Sequence, residues 1–161
     1  VQAILNNADV LKAIETSLVP NLKDLRTFLE TGESATFSEP LLGRWNFDVN
    51  GSLGLLRREK PNITAKEISQ RRALLSVTAG KAMIIVTPEQ QALFKSVPFV
   101  KAPSLVPKVE DAQGEWKNAD GKYTITVPVD GRPEQLSVEL RGSRLTLAGG
   151  DLMELAFVRE D

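Results

Sequence analysis

Apolar side chains recur at three- and four-residue steps at the start of the chain: Val1, Ile4, Leu5, Ala8, Leu11, Ile14 and Leu18 fall on one stripe of an α-helix. A second helix follows. Pro20 sits in its first turn, Leu22, Leu25, Phe28 and Leu29 form its apolar stripe, and Gly32 supplies a left-handed stop. Residues 34–40 read as a linker. From Gly43 the period drops to two: Trp45, Phe47 and Val49 alternate with Asn46, Asp48 and Asn50, as on a half-buried strand. Asn50-Gly51 signals a tight turn, with Leu53 and Leu55 on a returning strand that ends at Lys60-Pro61.

Residues 62–79 carry no single period, but Thr64-Ala65-Lys66-Glu67 has the form of a capping box and opens a short helix that Gly80 ends. Residues 81–87 form a β-branched-rich strand containing Met83, Ile84, Ile85 and Val86, and Pro88-Glu89-Gln90 turns it. After Leu93 and Phe94, the prolines at 98, 103 and 107 interrupt regular structure, so this stretch is expected to cross the surface or the mouth of a barrel. From Trp116 onward the alternation is sustained. Tyr123, Ile125, Val127 and Val129, then Leu136, Val138 and Leu140, then Leu145 and Leu147, then Met153, Leu155 and Phe157 each alternate with polar neighbours. Asp120-Gly121, Asp130-Gly131, Arg141-Gly142 and Gly149-Gly150 separate them, and each dipeptide offers the positive φ that a tight reversal needs. This is the pattern of an antiparallel meander with short hairpins.

Two strands open on Gly-x-Trp, at Gly43-Arg44-Trp45 and Gly114-Glu115-Trp116. The first, followed by a meander and a final strand ending Phe157-Val158-Arg159-Glu160, resembles the lipocalin or calycin pattern over residues 43–159, in the form of the bacterial lipocalin-like domains. The resemblance implies that Trp45 closes one barrel end and that Arg159 packs across its ring as a cation–π partner. It also implies an inward lining for a ligand from Trp45, Phe47, Met83, Ile85, Ile125, Val127, Val138, Leu155 and Phe157. An ordinary antiparallel sheet with both tryptophans as core anchors, and a duplication marked by the second Gly-x-Trp, fit the same residues. The fold expected is α+β, mainly antiparallel β: a meander curled into a lipocalin-like barrel or half-barrel (41–161), with an N-terminal helical pair (1–40) packed on it.

Composition narrows the chemistry. The 161 residues contain neither His nor Cys. Ser-His and Cys-His nucleophile pairs, thiolates, disulfides and the usual zinc, haem and iron–sulfur ligand sets are therefore excluded. Of Glu110-Asp111, Asp120, Asp130 and Asp151, most lie beside glycine or in turn positions, where Asp serves its own backbone, and no Asp-x-Asp-x-Asp-Gly calcium spacing occurs. No enzymatic activity, catalytic residue, cofactor or metal is expected. The longest apolar run, residues 82–86, is far short of the ~20 residues of a membrane-spanning helix.

Charge is segregated although the net value is −1: residues 44–108 hold eleven Lys/Arg against four Asp/Glu, and residues 109–161 hold six against eleven. The cluster Arg57, Arg58, Lys60, Lys66, Arg71 and Arg72 suits an anionic ligand or head group. The reading preferred from the sequence is basic strands paired with acidic ones in one sheet. It lacks the aromatic interleaving of a single-strand nucleic-acid site, so no nucleic-acid partner is expected. The function expected is that of a non-enzymatic lipocalin-like module for a small apolar or amphipathic ligand. The alternative is a structural or protein-interaction domain of a bacterial envelope with a filled core, meeting a second copy or an envelope protein through the N-terminal helices. Zero cysteine fits an exported protein that avoids stray oxidation and also a cytosolic one; a periplasmic or extracellular location is the expectation. The opening on Val1 within a helical pattern points to a segment upstream.

Overall fold

The structure, a computed structural model, describes residues 19–31 and 39–160. The chain divides into two units, Val1–Pro40 and Leu41–Asp161. In the first, helix α1 (Val19–Thr31) is the second helix the sequence predicts; Leu22 and Leu29 are exposed on it, and Arg26 pairs with Glu30 one turn on at 2.8 Å. The helix expected over residues 1–18, and Gly32 as its successor's stop, lie outside the described residues.

The second unit is a closed, eight-stranded antiparallel barrel with a few short helices. Its strands are β1 (Gly43–Asp48), β2 (Met83–Val86), β3 (Gln91–Phe99), β4 (Lys108–Ala119), β5 (Lys122–Val129), β6 (Arg132–Arg141), β7 (Arg144–Gly149) and β8 (Leu152–Arg159). Each pairs with the next, and β1 closes on β8. Such a meander is compatible with a lipocalin-like fold. The hairpins follow from turn chemistry. Asp120-Gly121 and Asp130-Gly131 are two-residue turns with positive φ at both positions, whereas Gly142 and Gly150 supply positive φ at the first turn position only.

Alternation places Trp45, Phe47, Ile84, Val86, Phe94, Ile125, Val127, Leu136, Leu145, Leu147, Leu155 and Phe157 inside, all buried. A bulge in β3 between Phe94 and Val97, with Ser96 at φ 50° and its N–H donating to Asp111 Oδ1 at 2.6 Å, resets the phase so that Val97 and Phe99 also face inward. The strand therefore runs through Pro98, which pairs with Val109, and the break expected at that proline comes only after Phe99.

The link from β1 to β2 departs from expectation. Instead of a hairpin at Asn50-Gly51, helix α2 (Val49–Glu59) starts there, and Leu53 and Leu55 lie on it. Asp48 is the reason: it caps the helix, its Oδ1 accepting the Gly51 N–H at 2.9 Å. Ser52, fully buried, donates from Oγ to the Asp48 carbonyl and accepts the Ala156 N–H from β8, both at 2.8 Å, which ties the helix start to the barrel wall. Helix α3 (Ala65–Ser76) follows, opened by the capping box that Thr64 and Glu67 predict.

Both barrel ends are closed. At the end where β1 begins, Trp45 donates from Nε1 to the Leu41 carbonyl at 2.9 Å. At the other end, Leu53 and Leu75 from the two helices join the core. There residues 100–102, continuing β3, reach β8 across the mouth: Met153 N–H donates to the Val100 carbonyl at 2.8 Å and Ala102 N–H to the Asp151 carbonyl at 2.9 Å. Lys101 also pairs with Glu134 at 2.7 Å.

Candidate ligand-binding groove

The residues expected to line a ligand divide into two sets. Trp45, Phe47, Ile125, Val127, Leu155 and Phe157 do point into the barrel, where they pack on one another; the Phe47 and Phe157 rings sit 5.6 Å apart. Val138 shares their phase and is half-buried. Met83 and Ile85 face the other way. Register sets them opposite Asn46 and Arg44, outward positions of β1, while Ile84 and Val86 pair with Trp45 and Gly43 and occupy the interior. The inward phase of β2 is thus one residue off the expectation, because the unbroken run Met-Ile-Ile-Val carries no alternation from which to read it.

Trp45 and Arg159 meet as the resemblance implies. They stand directly opposite in the β1–β8 register, and the Arg159 guanidinium carbon lies 4.3 Å from the Trp45 ring centroid. Arg159 also donates from a guanidinium nitrogen to the Leu42 carbonyl at 2.7 Å. One charged side chain therefore covers the ring and satisfies a carbonyl of the segment entering the barrel.

A cavity of about 750 Å³ lies outside the lumen, at the helix-covered end. Its walls are the corner between α2 and α3 and the loop after β3: Leu56, Ile63, Ala73, Leu74 and Leu105 provide apolar surface, and Lys60, Glu67, Gln70 and Arg71 provide polar groups. Local sequence builds it. Pro61 follows the last turn of α2, whose end is closed by the Lys60 N–H donating to the Leu56 carbonyl at 2.8 Å. Thr64 then restarts the helix, so positions 67, 70, 71 and 74 share one face of the helix, with Ile63 just ahead of its cap. Ile68 and Leu75 take the buried face, which leaves Leu74 turned to the groove. Arg71 fixes the far wall by donating to the Leu105 carbonyl at 3.0 Å.

Glu67 accepts hydrogen bonds at Oε2 from the Thr64 hydroxyl at 2.7 Å and the Thr64 N–H at 2.8 Å. These bonds hold its carboxyl below the ordinary glutamate range, and the nearby Arg71 and Lys60 charges add to the effect. Its charge is thus committed to the helix cap, whereas Lys60 makes no ion pair among the described residues. The groove accordingly offers an aliphatic floor with two cations on its rim, a setting for an apolar body with an anionic or polar end. A second cavity of about 530 Å³, between α2 and the outer wall of β6–β8, is lined by charges of both signs, among them Arg58, Arg144, Glu139 and Glu154. Among the described residues no group of three or more His, Cys, Asp or Glu side chains is placed to hold a metal ion, and no helix is long and apolar enough to cross a membrane.

The groove residues Leu56, Ile63, Leu74 and Leu105 were not foreseen as a site. Two signals for them exist: Leu74 is surplus to the buried stripe of Ile68 and Leu75, and Leu105-Val106 places apolar residues in a proline-flanked loop. The basic cluster sits on α2, α3 and the corner between them, not on strands, so cross-strand pairing with acidic residues is not what accommodates it. No protein-family model matches the chain, and no curated protein or solved structure matches it either.

Proposed function

We propose that this chain is a non-catalytic, lipocalin-like module that binds a small apolar or amphipathic molecule, held in the groove between α2, α3 and the loop after β3 and not in the lumen. The observation that carries this reading is the groove itself: about 750 Å³ of space with an aliphatic floor and a few convergent polar groups, within the size range of small-molecule sites. The inward side chains support moving the site out of the barrel, since an eight-stranded barrel is only just wide enough to be filled by its own residues. Binding in place of catalysis is supported by the groove's chemistry. Among its described lining residues the one carboxylate, Glu67, is engaged by Thr64 and held ionised, a poor general acid, and no imidazole or thiol exists in the chain.

The test is titration with an anionic fluorescent amphiphile such as anilinonaphthalene sulfonate, followed by displacement with unlabelled long-chain amphiphiles. Leu74→Glu, which places a charge on the apolar floor at a part-exposed helix position, is expected to weaken binding about tenfold or more without altering the circular dichroism. Equal binding by native and Leu74→Glu protein would remove the groove from consideration. The packed lumen favours a second reading, a structural or protein-interaction domain with a filled core; failure of every amphiphile to bind would leave that reading standing.

A further inference from the structure

We infer that the helix-covered end of the barrel is a docking surface for an anionic phospholipid bilayer. Aliphatic side chains stand out from the surface at this end, among them Val77 at 81% exposure, Val106 at 66%, Leu105 at 59% and Leu74 at 38%, with Val109 at 49% near the start of β4. The first four form one neighbourhood. Leu74 and Leu105 face each other across the groove, Val106 follows Leu105, and Val77 lies one turn beyond Leu74. Exposed apolar side chains grouped in this way mark a surface that meets something.

Charge identifies what it meets. Residues 57–72, which build the α2–α3 corner, hold six Lys/Arg against two Asp/Glu in a chain of net charge −1, and one of those acids, Glu67, is hydrogen-bonded within the helix cap. Arg57, Lys60 and Lys66 are exposed and make no ion pair with a described residue, while Arg58, also without one, lines the cavity between α2 and β6–β8. By contrast, Lys101 and Lys108, on the neighbouring loop and strand, are neutralised by Glu134 and by Asp130 and Glu110. Lys81, Lys95, Lys117, Lys122, Arg132 and Arg144 also make no ion pair with a described residue, but they are dispersed around the barrel, whereas six cations fall within residues 57–72 at the end that also exposes aliphatic side chains. The acidic C-terminal half forms barrel wall, so a negatively charged plane would attract the helical end and repel the wall, which fixes an orientation.

Aliphatic tips flanked by lysine and arginine suit the boundary between acyl chains and acidic head groups. The same surface is poorly equipped for other polymers. No aromatic residue occurs between Phe47 and Phe94 or in residues 100–109, so bases would find nothing to stack on, and the aromatic anchors of protein interfaces are missing. The contact geometry is shallow insertion of Val77, Leu105 and Val106, with Lys60 and Lys66 at head-group level.

Vesicle flotation of the full chain tests this with phosphatidylcholine alone and with phosphatidylcholine containing about 30% phosphatidylglycerol. The expected result is attachment to the anionic vesicles only, decreasing as salt rises from about 0.1 M to about 0.5 M. Lys60→Gln and Lys66→Gln should each lower the partition coefficient roughly fivefold, and the Val77→Ser/Val106→Ser double variant should lower it with no change in melting temperature, since both side chains already face solvent. Attachment no greater to anionic than to neutral vesicles, or attachment indifferent to these four positions, overturns the proposal. So does retention on a single-stranded oligonucleotide or an acidic protein without vesicle attachment. Lys66, Val77 and Val106 do not line the groove, so failure here and failure of amphiphile binding are read separately.

Discussion

The closure of the barrel by Trp45 and Arg159 makes a quantitative prediction. Arg159→Met keeps an unbranched stem over the indole but removes the guanidinium 4.3 Å from the ring centroid and its 2.7 Å hydrogen bond to the Leu42 carbonyl. A half-exposed cation–π contact contributes about 1 kcal/mol and a charged hydrogen bond of this kind about 1 kcal/mol more, so a loss of about 2 kcal/mol is expected. Trp45→Phe removes ring volume from a fully buried site and the 2.9 Å bond to the Leu41 carbonyl, for a loss of about 2–3 kcal/mol. Because the phenyl ring retains part of the attraction, the two losses should fail to add by about 0.5–1 kcal/mol. Urea unfolding followed by far-ultraviolet circular dichroism of the native protein, both single variants and the double variant gives all four corners of the cycle. Strict additivity, or an Arg159→Met protein within about 0.5 kcal/mol of native, would refute the closure as a coupled pair.

Other outcomes follow from single contacts. Ser52→Ala leaves the buried Ala156 N–H without its 2.8 Å acceptor and should cost about 1–3 kcal/mol, against under about 0.5 kcal/mol for Ser137→Ala, whose hydroxyl bonds Ala148 on the exposed side of β6; thermal melts of the two variants decide it. Gly114→Ala should destabilise the barrel strongly, because the added methyl would stand 2.5 Å from the Thr126 carbonyl oxygen of the neighbouring strand, and chemical denaturation would register a lowered midpoint. The carboxyl of Glu67 is held below its unfolded value, so its contribution is complete above the ordinary glutamate range and lost as pH falls through the lower folded value. The difference in melting temperature between native protein and Glu67→Gln should therefore shrink on acidification, and a gap that widens would contradict the cap assignment.

The parts of this fold legible in the sequence are those fixed by short-range chemistry. Asp-Gly at 120–121 and 130–131 can adopt two successive positive φ values, and each ends one alternating run and starts another, so hairpins and strand faces follow together. Thr64 and Glu67 announce α3 for the same reason, as the reciprocal bonds lie within one turn. Legibility fails where a distant partner decides. Asn50-Gly51 has the composition of a hairpin, but Asp48 caps a helix there and Ser52 bonds Ala156, a residue 104 positions away. Met83-Ile84-Ile85-Val86 is apolar throughout, so only its register against Trp45 sets which two face inward. Pro98 remains in a strand because the bulge at Ser96 re-aims β3 before it. The groove is assembled from α2, α3 and a loop some thirty positions on, joined by Arg71 and the Leu105 carbonyl 34 residues apart, and no local pattern encodes that meeting.

The most direct test of a filled barrel with an external groove is a methyl-resolved NMR titration of the full chain with an amphiphile that binds it. Saturable shift changes are expected at the methyls of Leu56, Ile63, Leu74 and Leu105, with Ile125, Val127 and Leu155 unmoved. Shifts concentrated at Ile125, Val127 and Leu155 would place the ligand in the lumen and contradict both the packed core and the groove.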